Sequence, residues 1–443
     1  MSLRTRRFLA LAALSVAAAA HAQLRLPSLG SALAPIARAP LVQRVDPLVA
    51  GVLAPANLVA ARLDEAQRRL RAHPDRLERD PRGELVVRAE VLAQPSSPVA
   101  RDALLAGGFQ LLREDLLDGL DDELLVLGAP AGQSLADAVD RARAIDPNGR
   151  YDFHHVYLGS GDVAVPGATP MPAAEARGPG GLDAGPGPVQ VGLIDSGIDG
   201  AHPALRHAAV VRHGCGDTPR PAPHGTAVAS LLVGQEDRFR SALPRARLYA
   251  GDAYCDDATG GSVEAIAREL AWLAQKRLAV INVSLVGPPN QVLQQLVAHV
   301  VAKGILIVAA VGNDGPAAPP LYPASWPGVV GVGAVDGRLR LLPEAARGPQ
   351  VMFVAPGADM VAAANGESAF ARVRGTSFAA PLVAGLLAAL YQVPSPDGAR
   401  AAIARLAGTA RDLPAAPRDG IGRGLVGETL RTPPDAVALV RAR

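Results

Sequence analysis

Lysine is nearly absent from this sequence: Lys276 and Lys303 are the only two, and the remaining positive charge is arginine. The 44 basic residues are almost cancelled by 42 acidic ones, leaving a formal charge of +2, which argues against a strongly basic nucleic-acid binder. Cysteine is equally sparse. Cys215 and Cys255 alone cannot build a cysteine-rich metal cluster, so the core must fold by ordinary burial. Beyond the N-terminus no apolar run reaches the roughly 20 residues of a membrane-spanning helix; residues 305–311 and 382–390 are both too short. What is there is a chain of 443 residues, 49% hydrophobic, too apolar for disorder and long enough for more than one domain.

Residues 1–22 carry three arginines within the first seven positions, an apolar stretch over 8–20, and Ala20-His21-Ala22 as a small-residue cleavage signal. This pattern predicts an export signal cut between Ala22 and Gln23, too short in its apolar part to anchor in a membrane. The expected location is secreted or periplasmic, with no membrane attachment after signal removal. In an oxidising compartment Cys215 and Cys255 are expected to pair, closing a loop worth about 4 kcal/mol in chain-entropy terms.

Composition divides the rest. Residues 23–180 carry a net charge of −4 and residues 181–443 one of +3. Between the halves, residues 159–188 are mostly Gly, Pro and Ala, which predicts an exposed, cuttable connector. Over 84–158 the pattern reads as a strand at 84–93, a helix at 98–106, a strand pair at 109–116 and 123–127, a helix from Ser134 to 145, and a strand at 151–158. The Ser134 and Asp137 spacing resembles a capping box. The order βαββαβ is that of a ferredoxin-like domain. Residues 23–83 have no assignable role, although 63–77 looks helical.

From Val189 to the C-terminus, short apolar runs at 189–194, 247–250, 280–284, 305–310 and 329–335 alternate with helical stretches at 226–233, 262–275, 291–303 and 377–391. Strands this apolar are covered on both faces, which predicts a parallel α/β sheet with its site at the strands' carboxyl ends. Asp195 follows the first run, His224 stands in Pro223-His224-Gly225-Thr226-Ala227, and Ser377 in Gly375-Thr376-Ser377-Phe378-Ala379 before an apolar helix. Singly, such residues are often turn or helix caps. Together they offer a nucleophile, a base and a group that orients the base.

In that order and with those neighbours, the three segments resemble the subtilisin-like serine protease family. A fourth, Ala309-Ala310-Val311-Gly312-Asn313, resembles the family's segment ending in an oxyanion-hole asparagine, and supporting pieces extend from Val189 to about Val426. No G-x-S-x-G surrounds any serine, which disfavours an α/β-hydrolase. The resemblance implies a three-layer α/β domain over 189–443, with a mainly parallel sheet, preceded by a ferredoxin-like prosegment domain over 84–158. It implies a secreted serine endopeptidase acting through an acyl-enzyme, with Asp195, His224 and Ser377 as the triad and Asn313 stabilising the oxyanion. No metal or organic cofactor is expected.

By the same resemblance, Gly260, Gly261 and Ser262, and Ser284, Leu285, Val286 and Gly287, form two extended segments between which a polypeptide substrate lies, and Asp314 favours basic side chains. The βαββαβ unit, ending Phe153-His154-His155-Val156-Tyr157, resembles the prosegment that assists folding, inhibits the enzyme and is removed by self-cleavage, which implies a processing site within residues 159–188. Ala227 departs from the family, many of whose members have a second histidine there. Residues 232–243 leave little room for the calcium loop of many bacterial members, so no calcium is expected there, and Asp256-Asp257 reads as solvated charge. Two alternatives are an inactive protease-shaped binding module and an esterase using the same triad.

Overall fold

A computed structural model of the chain describes residues 55–164, 188–236, 238–365 and 370–437. The expected export signal, its cleavage site and most of the Gly/Pro-rich stretch lie outside the described residues. The first element, α1, spans Pro55–Ala72. It starts and stops earlier than the helix expected over 63–77, because Pro74 cannot continue a helix and disfavours helical backbone just before it.

There follow β1 (Leu77–Arg79), β2 (Leu85–Gln94), α2 (Pro98–Ala106), β3 (Gln110–Leu117), β4 (Asp122–Gly128), α3 (Leu135–Ile145) and β5 (Arg150–His155). From β2 onward this is the βαββαβ order. Strands β5, β2, β4 and β3 lie side by side, all antiparallel. Serines cap both helices: Ser97 Oγ accepts from the Ala100 N–H, and Ser134 Oγ accepts from the Asp137 N–H at 3.2 Å while donating to the Asp137 carboxylate at 2.7 Å. Strand alternation sends side chains to two places. Val91, Ala93, Leu125 and Leu127 pack with Leu104, Val139 and Ala142 of the two helices, whereas Leu92, Leu117, Leu120, Leu124 and Val126 face away from them and join a different core.

The chain continues through β6 (Leu158–Gly159) and β7 (Asp162–Ala164), then β8 (Gln190–Asp195), β9 (Ala209–His213), α4 (Pro223–Val233), β10 (Arg247–Asp252), α5 (Val263–Gln275), β11 (Val280–Val283), β12 (Leu285–Val286), α6 (Gln291–Ala302), β13 (Leu306–Ala310), β14 (Val330–Val335), β15 (Val351–Pro356), β16 (Met360–Ala363), β17 (Phe370–Arg374), α7 (Thr376–Leu390) and α8 (Pro396–Ala407). Seven strands form one sheet in the order β15-β14-β13-β11-β8-β10-β9, and every pairing in it is parallel.

Alternation again assigns the faces. Leu193, Val308 and Val332 point to a core with α4 and α7, and Ile194, Ile281 and Ile307 to a second core with α5 and α6. The result is three layers, as expected of strands apolar throughout. The five side chains turned away from α2 and α3 belong to that second core, so the antiparallel sheet lies on α5 and α6. Cys215 and Cys255 are joined in a disulfide that ties the stretch after β9 to the loop after β10.

The Gly/Pro-rich stretch expected as an exposed connector begins otherwise. Strand β6 pairs antiparallel with β12, and β7 pairs antiparallel with β17, which in turn pairs with β16. Glycine is a poor strand former alone, but neighbouring strands here supply the hydrogen bonds that hold it.

Candidate active site

Asp195 ends β8, at the carboxyl edge of the sheet, and is 1% exposed. Its carboxylate accepts from the Ser196 N–H at 2.7 Å and from His224 Nδ1 at 2.8 Å. The charge is thereby satisfied by donors that also fix the ring. His224 is in the first turn of α4, where Pro223 supplies the preset φ of a helix start. Ser377 is in the first turn of α7, so its N–H is one of the four that a helix leaves without an internal partner. Asn313 follows β13; its side-chain oxygen accepts from the Thr376 N–H at 3.1 Å, which turns the amide nitrogen toward the cleft.

That nitrogen donates to Ser160 Oγ at 3.0 Å, and the Ser377 N–H donates to the Ser160 carbonyl at 3.0 Å. The residue before, Gly159, lies over His224: a Cβ there would be 3.4 Å from the imidazole ring. Two successive residues of the chain thus touch the histidine and the serine, so both flank the same piece of backbone. Gly375, at φ 138°, makes the approach possible, since a Cβ on it would lie 2.7 Å from the Gly161 Cα and 2.8 Å from Asn313 Nδ2. The Ser377 hydroxyl donates to the Ser284 carbonyl at 3.1 Å.

The two segments expected to hold a peptide flank this tail. The Tyr157 N–H donates to the Gly261 carbonyl at 2.8 Å, Val156 bridges to Ser262, the Ser160 N–H reaches the Ser284 carbonyl at 3.4 Å, and Leu285 and Val286 pair with Gly159 and Leu158. Gly287 packs against the Tyr157 ring. Gly260 instead gives its carbonyl to Arg69 of α1 at 2.8 Å, and Asp314 accepts from Arg62 Nε of α1 at 2.7 Å. The guanidinium of Arg62 also meets Glu84, and the two carboxylates raise its pKa against the opposing effect of burial.

Several contributors were not anticipated. Thr376 Oγ1 accepts from the Gly312 N–H and meets Ser160 Oγ at 3.2 Å, Tyr254 donates its hydroxyl to the Tyr157 carbonyl at 2.9 Å, and Arg62 and Arg69 come from a segment with no assigned role. Thr376 stood inside a signature and was legible; no local signal marks the others.

The antiparallel unit is held by charge as well. Asp152 accepts from the Gln291 N–H at 2.7 Å where α6 begins, and His154 Nε2 accepts from the Glu264 N–H near the start of α5. The Asp152 carboxylate is favourably placed at a helix N-terminus. Arg113 bridges Glu90 and Glu264, and His154 Nδ1 lies 2.8 Å from Glu90. Burial alone would raise the Glu90 pKa, but its bonds to His154 and Arg113 hold it at about 2. Glu90, His154 and Glu264 come close enough to share a metal ion, yet the two carboxylates are already paired with the guanidinium groups of Arg113 and Arg268.

The subtilase family profile matches residues 187–423. Among curated proteins, subtilisin E of Bacillus subtilis (strain 168) is 33% identical over 214 residues, covering 45% of this chain and 54% of that protein. Subtilisin DY of Bacillus licheniformis is 31% identical over 233 residues, covering 51% and 84%. The chain thus spans about half the length of relatives such as subtilisin E. Among solved structures, fervidolysin from Fervidobacterium pennivorans, a keratinolytic enzyme related to subtilisin, superposes with a TM-score of 0.63 at 19% identity, over 79% of this chain and 62% of that one, a likeness of fold.

Proposed function

Because the chain belongs to the subtilase family, we propose that it is a serine endopeptidase made as a zymogen that cuts itself between Ser160 and Gly161. One observation carries this reading: residues 157–164 run through the cleft as an added strand, with the Ser160 carbonyl on the Ser377 N–H. Main-chain pairing of this kind is how an extended peptide is held on a sheet edge.

The chemistry is acyl transfer. Ser377 Oγ adds to the Ser160 carbonyl carbon while His224 takes the hydroxyl proton, and Asp195 holds the imidazole in the productive tautomer and stabilises its cation. Charge growing on the carbonyl oxygen meets the Ser377 N–H that already bonds it, and the neighbouring Asn313 amide turns to it from Ser160 Oγ. Collapse breaks the Ser160–Gly161 C–N bond, the proton passes from His224 to the Gly161 nitrogen, and water then releases Ser160 from Ser377 by the same steps in reverse.

The piece upstream of that bond acts as the inhibitor. It fills the cleft with its own tail, and α1 adds Arg62 on Asp314 and Arg69 on Gly260 and over the Tyr254 ring. Residues 1–22 direct export before any of this occurs. No helix among the described residues is long and apolar enough to cross a membrane.

The test is direct. A fluorophosphonate is expected to label wild type and not Ser377→Ala, and the N-terminus of the processed product is expected at Gly161 in wild type and absent in Ser377→Ala. Labelling that survives Ser377→Ala, or the same N-terminus in both proteins, rejects the reading.

A further inference from the structure

The two oxyanion donors come from different segments of the chain. Asn313 stands in the turn after β13, and Ser377 opens α7 just behind Gly375. Two hydrogen bonds join these segments directly, and both run through Thr376: its N–H donates to the Asn313 side-chain oxygen at 3.1 Å, and its Oγ1 accepts from the Gly312 N–H at 3.2 Å.

A second link goes around, through the loop between β14 and β15. The Glu344 backbone carbonyl accepts from the Gly315 N–H at 2.8 Å, and two residues on, the Ala346 N–H donates to the Gly312 carbonyl at 3.0 Å. Residues 312 and 315 bracket Asn313, so this loop holds the turn at both ends. The Glu344 side chain then reaches the other segment. Arg374 Nη2 donates to Glu344 Oε2 at 2.9 Å, and Arg374 Nε lies 2.7 Å from Oε1. Arg374 ends β17, three residues before Ser377.

The pair lies deep. Glu344 is 0% exposed, against 1% for Asp195, and the Arg374 side chain is 16% exposed. Charges this far from water are a poor source of stability, because desolvation cancels most of their attraction and well-packed apolar side chains serve as well. What such a pair adds is direction, since a planar guanidinium set against a planar carboxylate fixes both distance and angle.

We propose that Glu344 and Arg374 are positioning residues, whose buried ion pair holds the Asn313 turn and the Gly375-Thr376-Ser377 turn at the spacing at which both donors meet one oxyanion. This rests on reading the cleft as that of an endopeptidase. The Asn313 amide must leave Ser160 Oγ for the carbonyl oxygen as charge grows there, and a donor on a firm support stabilises that charge better than one free to retreat.

The experiment uses enzyme matured from the full chain, with active sites counted by fluorophosphonate, and a fluorogenic peptide of the tail's own sequence, Tyr-Leu-Gly-Ser-Gly-Asp. Glu344→Gln keeps the shape and removes the charge. It is expected to lower kcat about tenfold with KM unchanged, less than outright loss of a donor. In an Asn313→Ala background the same substitution is expected to change kcat by less than about twofold, because no amide is left to place. Glu344→Met combined with Arg374→Met leaves no buried charge unpaired; it is expected to fold and to lose kcat by a similar factor, and it carries the test if Glu344→Gln fails to fold. Full kcat in either variant, a loss confined to KM, or an equal loss with and without Asn313 overturns the inference alone, as does failure of both variants to fold. Wild type that neither labels nor cleaves overturns the endopeptidase reading and this inference with it.

Discussion

The two sheets of this protein solve the same problem differently. The seven-stranded parallel sheet has helices of its own on both faces, α4 and α7 on one and α5 and α6 on the other. The antiparallel sheet owns helices on one face only; on the other, Leu92, Leu117, Leu120, Leu124 and Val126 are covered by α5 and α6. The first is a self-sufficient core, whereas the second is half of one. Difference in cover, more than difference in strand direction, decides which part can stand alone.

The sharpest way to break this contrast is to separate the parts. Each of those five side chains is worth about 1.5–3 kcal/mol when buried, and their sum rivals the 5–15 kcal/mol that holds a whole domain. Residues 55–160 expressed alone are therefore expected to show little ordered structure by circular dichroism, and to gain it when the Ser377→Ala form of residues 161–443 is added. Cooperative melting of the isolated piece would show that the borrowed face is not needed.

A smaller effect is expected from one atom at the seam. A Cβ on Gly119 would lie 2.0 Å from the Ala271 carbonyl oxygen and 2.8 Å from the Gln275 nitrogen, both backbone of α5. Overpacking of this kind costs about 1–3 kcal/mol. Gly119→Ala is expected to raise the inhibition constant of the upstream piece by about 5- to 150-fold, while kcat/KM of the mature enzyme is unchanged. Equal inhibition by both forms would mean that the two sheets do not meet at α5.

The smallest effect is a pH dependence. Glu90 is lowered from an ordinary 4.5 to about 2; Glu264 is lowered too, since Arg113, His154 and Arg268 together outweigh its burial. Lowered carboxylates stabilise the docked form above their ordinary value, and that contribution is lost as pH falls through the lowered one. Asp115, raised by burial despite Arg268, does not share this loss. The cut but docked complex is expected to elute as one species at pH 5–7 and to come apart between about pH 4.5 and 2. Loosening on going from pH 5 to 8 would contradict it.

The self-sufficient part was also the more legible one. Residues 305–310 are apolar at every position, and only a strand covered on both faces tolerates that. Asp195, His224, Asn313 and Ser377 each stand among contiguous neighbours with a recognisable pattern. Strand β9 escaped notice because its exposed sequence, Ala-Val-Val-Arg-His, has no buried face to enforce alternation. The pairings of β6 and β7 escaped because the partners, β12 and β17, lie more than a hundred residues away along the chain. The roles of Arg62 and Tyr254 are likewise long-range: each is an unremarkable side chain until the fold carries it to Asp314 or to the Tyr157 carbonyl.

The Arg62 and Asp314 pair has a consequence in time. Arg62 lies upstream of Ser160, on the same piece as the strand that fills the cleft, so breaking the Ser160–Gly161 bond removes none of that piece's contacts with the cleft. On the proposed reading the cut starts a clock and opens nothing. The delay before a first outside substrate enters is then governed by the escape rate of a bound fragment, and it lengthens with the protein's own concentration because escaped fragments return. A crowded population stays silent longest, and dilution after export is what sets it working.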